Sequence, residues 1–349
     1  MLPLPASLAL VVLGGTVSAL IVHLTAASTP PALSSGAVPI PGNCIMVPRA
    51  CGFPDATNTG VPAGMVLRSV PGQVSSGPGW HFDPKRDYVA VTARGAVLSD
   101  LSIPCNLDID ASDVTVRDVR VVTGGYFGIS LRHTTGVTIE DTTVSGQNLT
   151  SGRVNSAIDD VFGDSTGMVI KNDNISLFRT GVQVSTGVIV GNYIHDPGYI
   201  RGDHTNGIYA AGTTEPLTIY GNTIFNNLGQ TDDVNLHASS SRQDMANKLV
   251  VDNLLAGGGY SIYGGIRNGH TANIVITDNE FGRIFYPDGG RYGPAAYFNS
   301  QQTGNVWSGN VWSGTSLHGV IQGRLLQSVI VPSVVPAPGP RSASSAAAG

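Results

Sequence analysis

The sequence predicts an all-β chain wound as a right-handed parallel β-helix, a solenoid of about nine to ten rungs. Three observations predict it. An eight-residue phrase recurs along most of the chain. A second short apolar run precedes most copies of the phrase. The composition favours turns and strands, with 45 Gly and 21 Asp but only 3 Glu and 3 Lys in 349 residues. Glu and Lys support helices, whereas Gly, Asp, Asn and Thr support turns and short strands.

The phrase appears as V-T-V-R-D-V-R-V (114–121), V-T-I-E-D-T-T-V (137–144), M-V-I-K-N-D-N-I (168–175) and G-V-I-V-G-N-Y-I (187–194). It continues as L-T-I-Y-G-N-T-I (217–224), K-L-V-V-D-N-L-L (248–255), I-V-I-T-D-N-E-F (274–281) and N-V-W-S-G-N-V-W (305–312), with a degenerate first copy at 96–103. Steps between sixth places, from Leu101, are 18, 23, 31, 19, 30, 31, 26 and 31. Third and eighth places are apolar and bracket a polar bend, so both side chains turn inward. Gly, Asp or Asn at the fifth place suits the positive φ of such a bend. Asn192, Asn222, Asn253, Asn279 and Asn310 hold the sixth place of the last five copies. Stacked one over another, each amide can donate to the next carbonyl and remain satisfied inside the turn.

The flanking segments are read separately. Leu8 to Leu24 is apolar apart from small residues and His23, and Ala26-Ala27-Ser28 follows. Residues 1–27 therefore read as a signal peptide or, if retained, an N-terminal anchor. Residues 28–43 are a Pro/Ser/Ala-rich linker, 44–330 the β-helix domain, and 331–349 a disordered tail. The expected location is secreted or cell-surface, with membrane contact only if the first segment is kept. Of the cysteines at 44, 51 and 105, an odd number leaves one unpaired. Cys51 with Cys105 is the expected bridge, tying the start of the domain to its first turns. Cys44 with Cys51 is the other pairing, and it closes only a small loop.

The rows above, with "GFPDATNTGVPAG", "GISLRHTTGVTIED" and "GNYIHDPGY", resemble the secreted bacterial β-helix proteins of the pectate-lyase-like superfamily. The resemblance spans about residues 50–315 and implies a carbohydrate context. It does not carry a reaction, because that superfamily holds lyases, hydrolases, tailspike-type depolymerases and proteins without an assigned activity. Its polygalacturonase-like hydrolases order N-x-D, D-D, G-H-G and R-x-K. Here Asp159-Asp160 and Asp232-Asp233 are present, but G-H-G and R-x-K are not.

The second strand of each rung centres on Ile129, Ile158, Val182, Ile208, Val234 or Ile262. Alternation puts these inside and their flanks outside. The column after them reads Ser130, Asp159, Gln183, Tyr209, Asn235, Tyr263. The column before reads Gly128, Ala157, Gly181, Gly207, Asp233, Ser261. Hydrogen-bonding groups and flat rings in line, with small neighbours, suit a sugar chain. Asp159, Gln183, Tyr209, Asn235 and Tyr263 are thus candidate substrate-binding residues, and Asp203, His204, Asp233, His237 and Arg267 candidate catalytic ones.

A net charge of −5 gives no basis for a nucleic-acid partner. The expected partner is a polysaccharide, and the expected state a monomer. The leading expectation is a lyase-like protein acting on or binding an acidic polysaccharide, with His204, His237, Tyr209 or Arg267 as the base. No cofactor is certain. Ca²⁺ enters only if Asp159, Asp203 and Asp233 gather around it. A glycoside hydrolase using Asp carboxylates is one alternative, with Asp203 set against Asp233 across about one rung. A non-catalytic glycan-binding or wall-associated β-helix is the other.

Overall fold

Every copy of the phrase bends where the sequence puts the bend: the first two are single strands, Val97–Ile103 and Thr115–Val122, and the other seven are pairs of strands. The fifth place has positive φ in all nine copies: Asp100, Asp118, Asp141, Asn172, Gly191, Gly221, Asp252, Asp278 and Gly309. Third- and eighth-place side chains, from Leu98 and Ile103 to Trp307 and Trp312, are buried in one continuous core. The structure, a computed structural model, describes residues 44–236, 244–265 and 270–313. The expectations for 1–27, 28–43 and 314–349, and for His237 and Arg267, lie outside the described residues.

The phrase strands stack in parallel, each copy on the next, in one ladder that runs along both sides of the bend. The second strands form an 11-stranded sheet whose members from Tyr88–Val91 onward are parallel. The chain alternates between the two sets and so winds as a right-handed parallel β-helix. At the N-terminal end, Ser76–Gly77, Trp80–Asp83 and Tyr88–Val91 pair antiparallel. Such a hairpin shields the exposed edge of the second sheet from further pairing.

The asparagine ladder forms as the sequence predicts. Nδ2 of Asn192, Asn222, Asn253 and Asn279 donates to Oδ1 of the next asparagine at 2.9 Å. Each also donates to the third-place carbonyl of the rung before, as Asn222 does to Ile189 O at 3.0 Å. Asp173 takes the same place one rung earlier and accepts from Thr142 N–H at 2.7 Å.

The cysteine pairing differs from expectation. Cys44 bonds Cys51, with Cα atoms 5.4 Å apart, and Cys105 is a buried free thiol. The reason is local: a one-turn 3₁₀ helix at Pro48–Cys51 folds the segment back on itself. Beyond it the chain lies across the phrase face, where Gly60 N–H donates to Asn172 O and Val61 N–H to Thr143 Oγ1. Cys105 meanwhile packs in the core beside the first rungs.

Candidate functional site

The residue after each central buried residue of the second sheet stands in strict register with its neighbours. Asp108, Ser130, Asp159, Gln183, Tyr209, Asn235, Tyr263 and Ala296 are successive partners across the strands. At ~4.8 Å per rung this is a straight file of side chains on the outer face. Gln183, Tyr209 and Tyr263 are half-buried, while Asp159 and Asn235 are nearly covered.

The column before the central residue does not point outward as alternation predicts. A Cβ on Gly207 would meet both the Asp233 carbonyl oxygen and Ile224 Cγ2 at 2.5 Å, and Gly128 and Gly181 would meet Val144 and Ile194 likewise. Ala157, in the same column, belongs to the core. These small residues are required by close packing at the inner corner, not by an approaching ligand. Asp233 therefore faces inward. It is fully buried, and neither carboxylate oxygen accepts a hydrogen bond of normal geometry, although the backbone N–H groups of Asn226 and Ala256 lie nearby. Burial holds its pKa well above the usual carboxylate range; the N–H groups of Asn226 and Ala256 offset this only in part.

The place two before the central residue turns outward instead. Asn235 Nδ2 donates to Asp232 Oδ2 at 2.7 Å and to Asn206 Oδ1 at 3.0 Å. Tyr260 packs against Tyr263 with ring centroids 5.6 Å apart. Two inward residues in succession are a local break in alternation, as a bulge produces. Beside the first file, on the same side of the sheet, runs a second, Ser156, Thr180, Asn206, Asp232 and Tyr260, and every member of it is covered, none more than 7% exposed. Sequence alternation misses this file. The signal was there: Ser, Thr, Asn and Asp recur at a place that alternation reserves for apolar side chains.

Electrostatics on this face follow from burial. Burial raises the Asp159 carboxyl to about 6; the Ser156 hydroxyl and Arg179 oppose the shift and Asp160 adds to it. Ser156 acts here by proximity, since its Oγ makes no hydrogen bond of normal geometry. Gln183 Nε2 reaches Asp159 Oδ1 at 3.4 Å. Asp232 is raised well above the carboxylate range by burial and then by Asp233, and its Oδ1 has no partner. Tyr209 and Tyr263 are raised as well, by burial first and then by Asp232. Tyr263 also stacks on Tyr297, with centroids 5.2 Å apart.

The other expected residues sit elsewhere. Asp203 accepts from Arg153 Nε and an Nη nitrogen, both at 2.7 Å, with each side chain 10% exposed. Ile200 N–H donates to it as well. Asp203 therefore clamps the 198–203 loop to Arg153 and is not set against Asp233. His204 is exposed, and its carbonyl accepts from Asn206 Nδ2. Asp159 on the outer face, Asp203 in its clamp and Asp233 inside do not gather around a common point. Among the described residues no group of three His, Cys, Asp or Glu side chains is placed to hold a metal ion. Of the lysines in the phrase, Lys171 pairs with Glu140 at 2.6 Å. Lys248 is buried and donates to Ser185 O, Thr213 Oγ1 and Glu215 O.

No family model matches the chain, and no curated protein matches it. Among solved structures, the Dettilon tailspike protein (gp208) superposes at 12% identity with a TM-score of 0.37. The match covers 64% of this chain and 46% of that protein, so the chain spans less than half of the tailspike's length.

Proposed function

We propose that this chain is an exported protein that binds a polysaccharide along the outer face of the 11-stranded sheet. The observation that carries the reading is the in-register outer file, with Tyr209 and Tyr263 interleaved with Asp159, Gln183 and Asn235, backed by the covered file that holds Asn206 and Tyr260. A rise of ~4.8 Å per rung is comparable to the length of one sugar ring. Aromatic rings cover the apolar faces of such rings, while amides and carboxyls take their hydroxyls.

Binding is better supported than bond cleavage. A lyase needs a base poised to lose its proton near working pH. The Tyr209 phenol is shifted upward, away from that condition. By that criterion a lyase reading rests on His204 and His237, because the Arg267 guanidinium stays protonated at any working pH. A hydrolase needs two carboxyls roughly 5–9.5 Å apart. On this side of the sheet Asp159 stands two rungs from Asp108, about 10 Å, and three rungs from Asp232, about 14 Å along the axis, and Asp108 is already bonded to Ser130 and Arg132.

Affinity electrophoresis against a panel of neutral and acidic polysaccharides tests the reading. Tyr209→Ala and Tyr263→Ala should abolish retention while far-UV circular dichroism and cooperative melting show that the fold is kept, with some loss of stability at Tyr263 from its lost ring contacts. Retention that survives both substitutions removes the face as the binding surface. In the same incubations, new absorbance from unsaturated ends would establish a lyase, and new reducing ends without it a hydrolase.

A further inference from the structure

Arg179 lies in the strand Phe178–Gln183, one residue before Thr180 of the second file, and is partly exposed. The arginines on its side of the face are otherwise engaged: Arg153 by Asp203 and Arg132 by Asp108. With the described residues Arg179 makes neither a hydrogen bond nor an ion pair, and its Nε–H is buried with no acceptor among them. The Oγ of Ser156 and Oγ1 of Thr180 and Thr205 are likewise buried without partners. These residues are close in the ladder, since Ser156 pairs with Thr180 and Thr180 with Asn206, next to Thr205. Asp159 is near enough to feel Arg179 but is not bonded to it.

A buried, charged N–H with no acceptor costs more than almost any other unmet polar group. Here the ladder brings it near hydroxyls that also lack partners, and the residue is partly exposed and close enough to Asp159 to act on that carboxyl. An oxyanion would satisfy the guanidinium through two parallel N–H···O bonds and accept from the hydroxyls as well. We propose that Arg179 is the anion-recognition residue of this face, taking the carboxylate or sulfate of an acidic sugar with Ser156 and Thr180 beside it. The inference rests on the glycan-binding reading and gives that site its charge selectivity.

Asp159 tunes the subsite. When ionised it competes for Arg179; when neutral it releases the guanidinium to the ligand. The charged groups around it are Asp160 on its own strand, Arg179 on the next, and the Asp108–Arg132 pair beyond Ser130 on the other side. Binding of a polymer that stays ionised should therefore tighten as pH falls from 7 towards 5.

The test compares dextran with dextran sulfate and galactan with polygalacturonate, by affinity electrophoresis or calorimetry on the full chain. The first pair isolates sulfate and the second carboxylate. Arg179→Gln should weaken the charged member of at least one pair by about tenfold or more and leave the neutral members unchanged. Arg179→Lys should restore part of the loss, and Asp159→Asn should flatten the pH dependence. If Tyr209→Ala abolishes binding while Arg179→Gln changes nothing, or weakens charged and neutral polymers alike, the anion subsite is wrong and the binding face stands. If the unaltered chain retains none of the four polymers, the face and the subsite both fall.

Discussion

Asn222 Nδ2 donates to Asn253 Oδ1 at 2.9 Å, one rung along the axis, and both side chains are fully buried. The same nitrogen donates to Ile189 O and Tyr220 O, and Oδ1 accepts from Asn192 N–H and Nδ2. Asn222→Ala would leave several buried groups unmet at once, each worth about 1–3 kcal/mol. It should destabilise the rungs on both sides by about 3 kcal/mol or more, read as lost amide protection in residues 189–193 and 252–254. Asn310, last in the ladder, donates to Ile276 O and accepts from Asn279. Asn310→Ala should cost less. Equal losses at the two positions would show that the ladder does not act cooperatively.

Asp233 occupies a column otherwise filled by Gly, Ala and Ser, and neither of its oxygens accepts a hydrogen bond of normal geometry. Asp233→Ala, which copies Ala157 from the same column, should raise stability by about 1–3 kcal/mol at neutral pH. It should leave glycan retention intact, because the side chain faces the core. A large loss of binding without unfolding would return Asp233 to the functional site.

The carboxyl of Asp159 is raised from 3.8 to about 6 on folding. The folded state holds this proton more tightly, so its contribution is fully present below 3.8 and is lost as pH rises through about 6. Roughly two pH units correspond to about 3 kcal/mol. Lys248 is shifted the other way, from 10.5 to about 8, chiefly by burial. Its contribution is full above 10.5 and is lost as pH falls through about 8. Denaturation across pH should show the first slope shrink in Asp159→Asn and the second shrink in Lys248→Met. Unaltered slopes in both variants would contradict these environments.

The Cys105 thiol is pushed up to about 11, mainly by burial. The native protein should resist alkylation at pH 8, since the thiolate is the reactive form. In denaturant without reductant, a single thiol should label, and peptide mapping should place it at Cys105. Labelling at Cys44 in place of Cys105 would overturn the observed bridge.

What the sequence by itself determined is everything that repeats. In a solenoid each rung touches only its neighbours, so the same local demand recurs and prints a period. That is why the nine positive-φ bends, the inward third and eighth places, the asparagine ladder and the file from Ser130 to Tyr263 could all be read in advance. Tertiary structure alone decided the features that break or bridge the period. The break in alternation turned Asp233 inward and Asp232 outward, the reverse of the sides that alternation from Val234 assigns. Arg153 and Asp203 met across 50 residues because two loops pack together, and no spacing in the sequence encodes such a meeting. Cys51 found Cys44 and not Cys105 because one 3₁₀ turn brought the nearer partner into reach. Periodic contacts are local and leave a mark at every rung; a single long-range contact leaves none until the rungs are stacked.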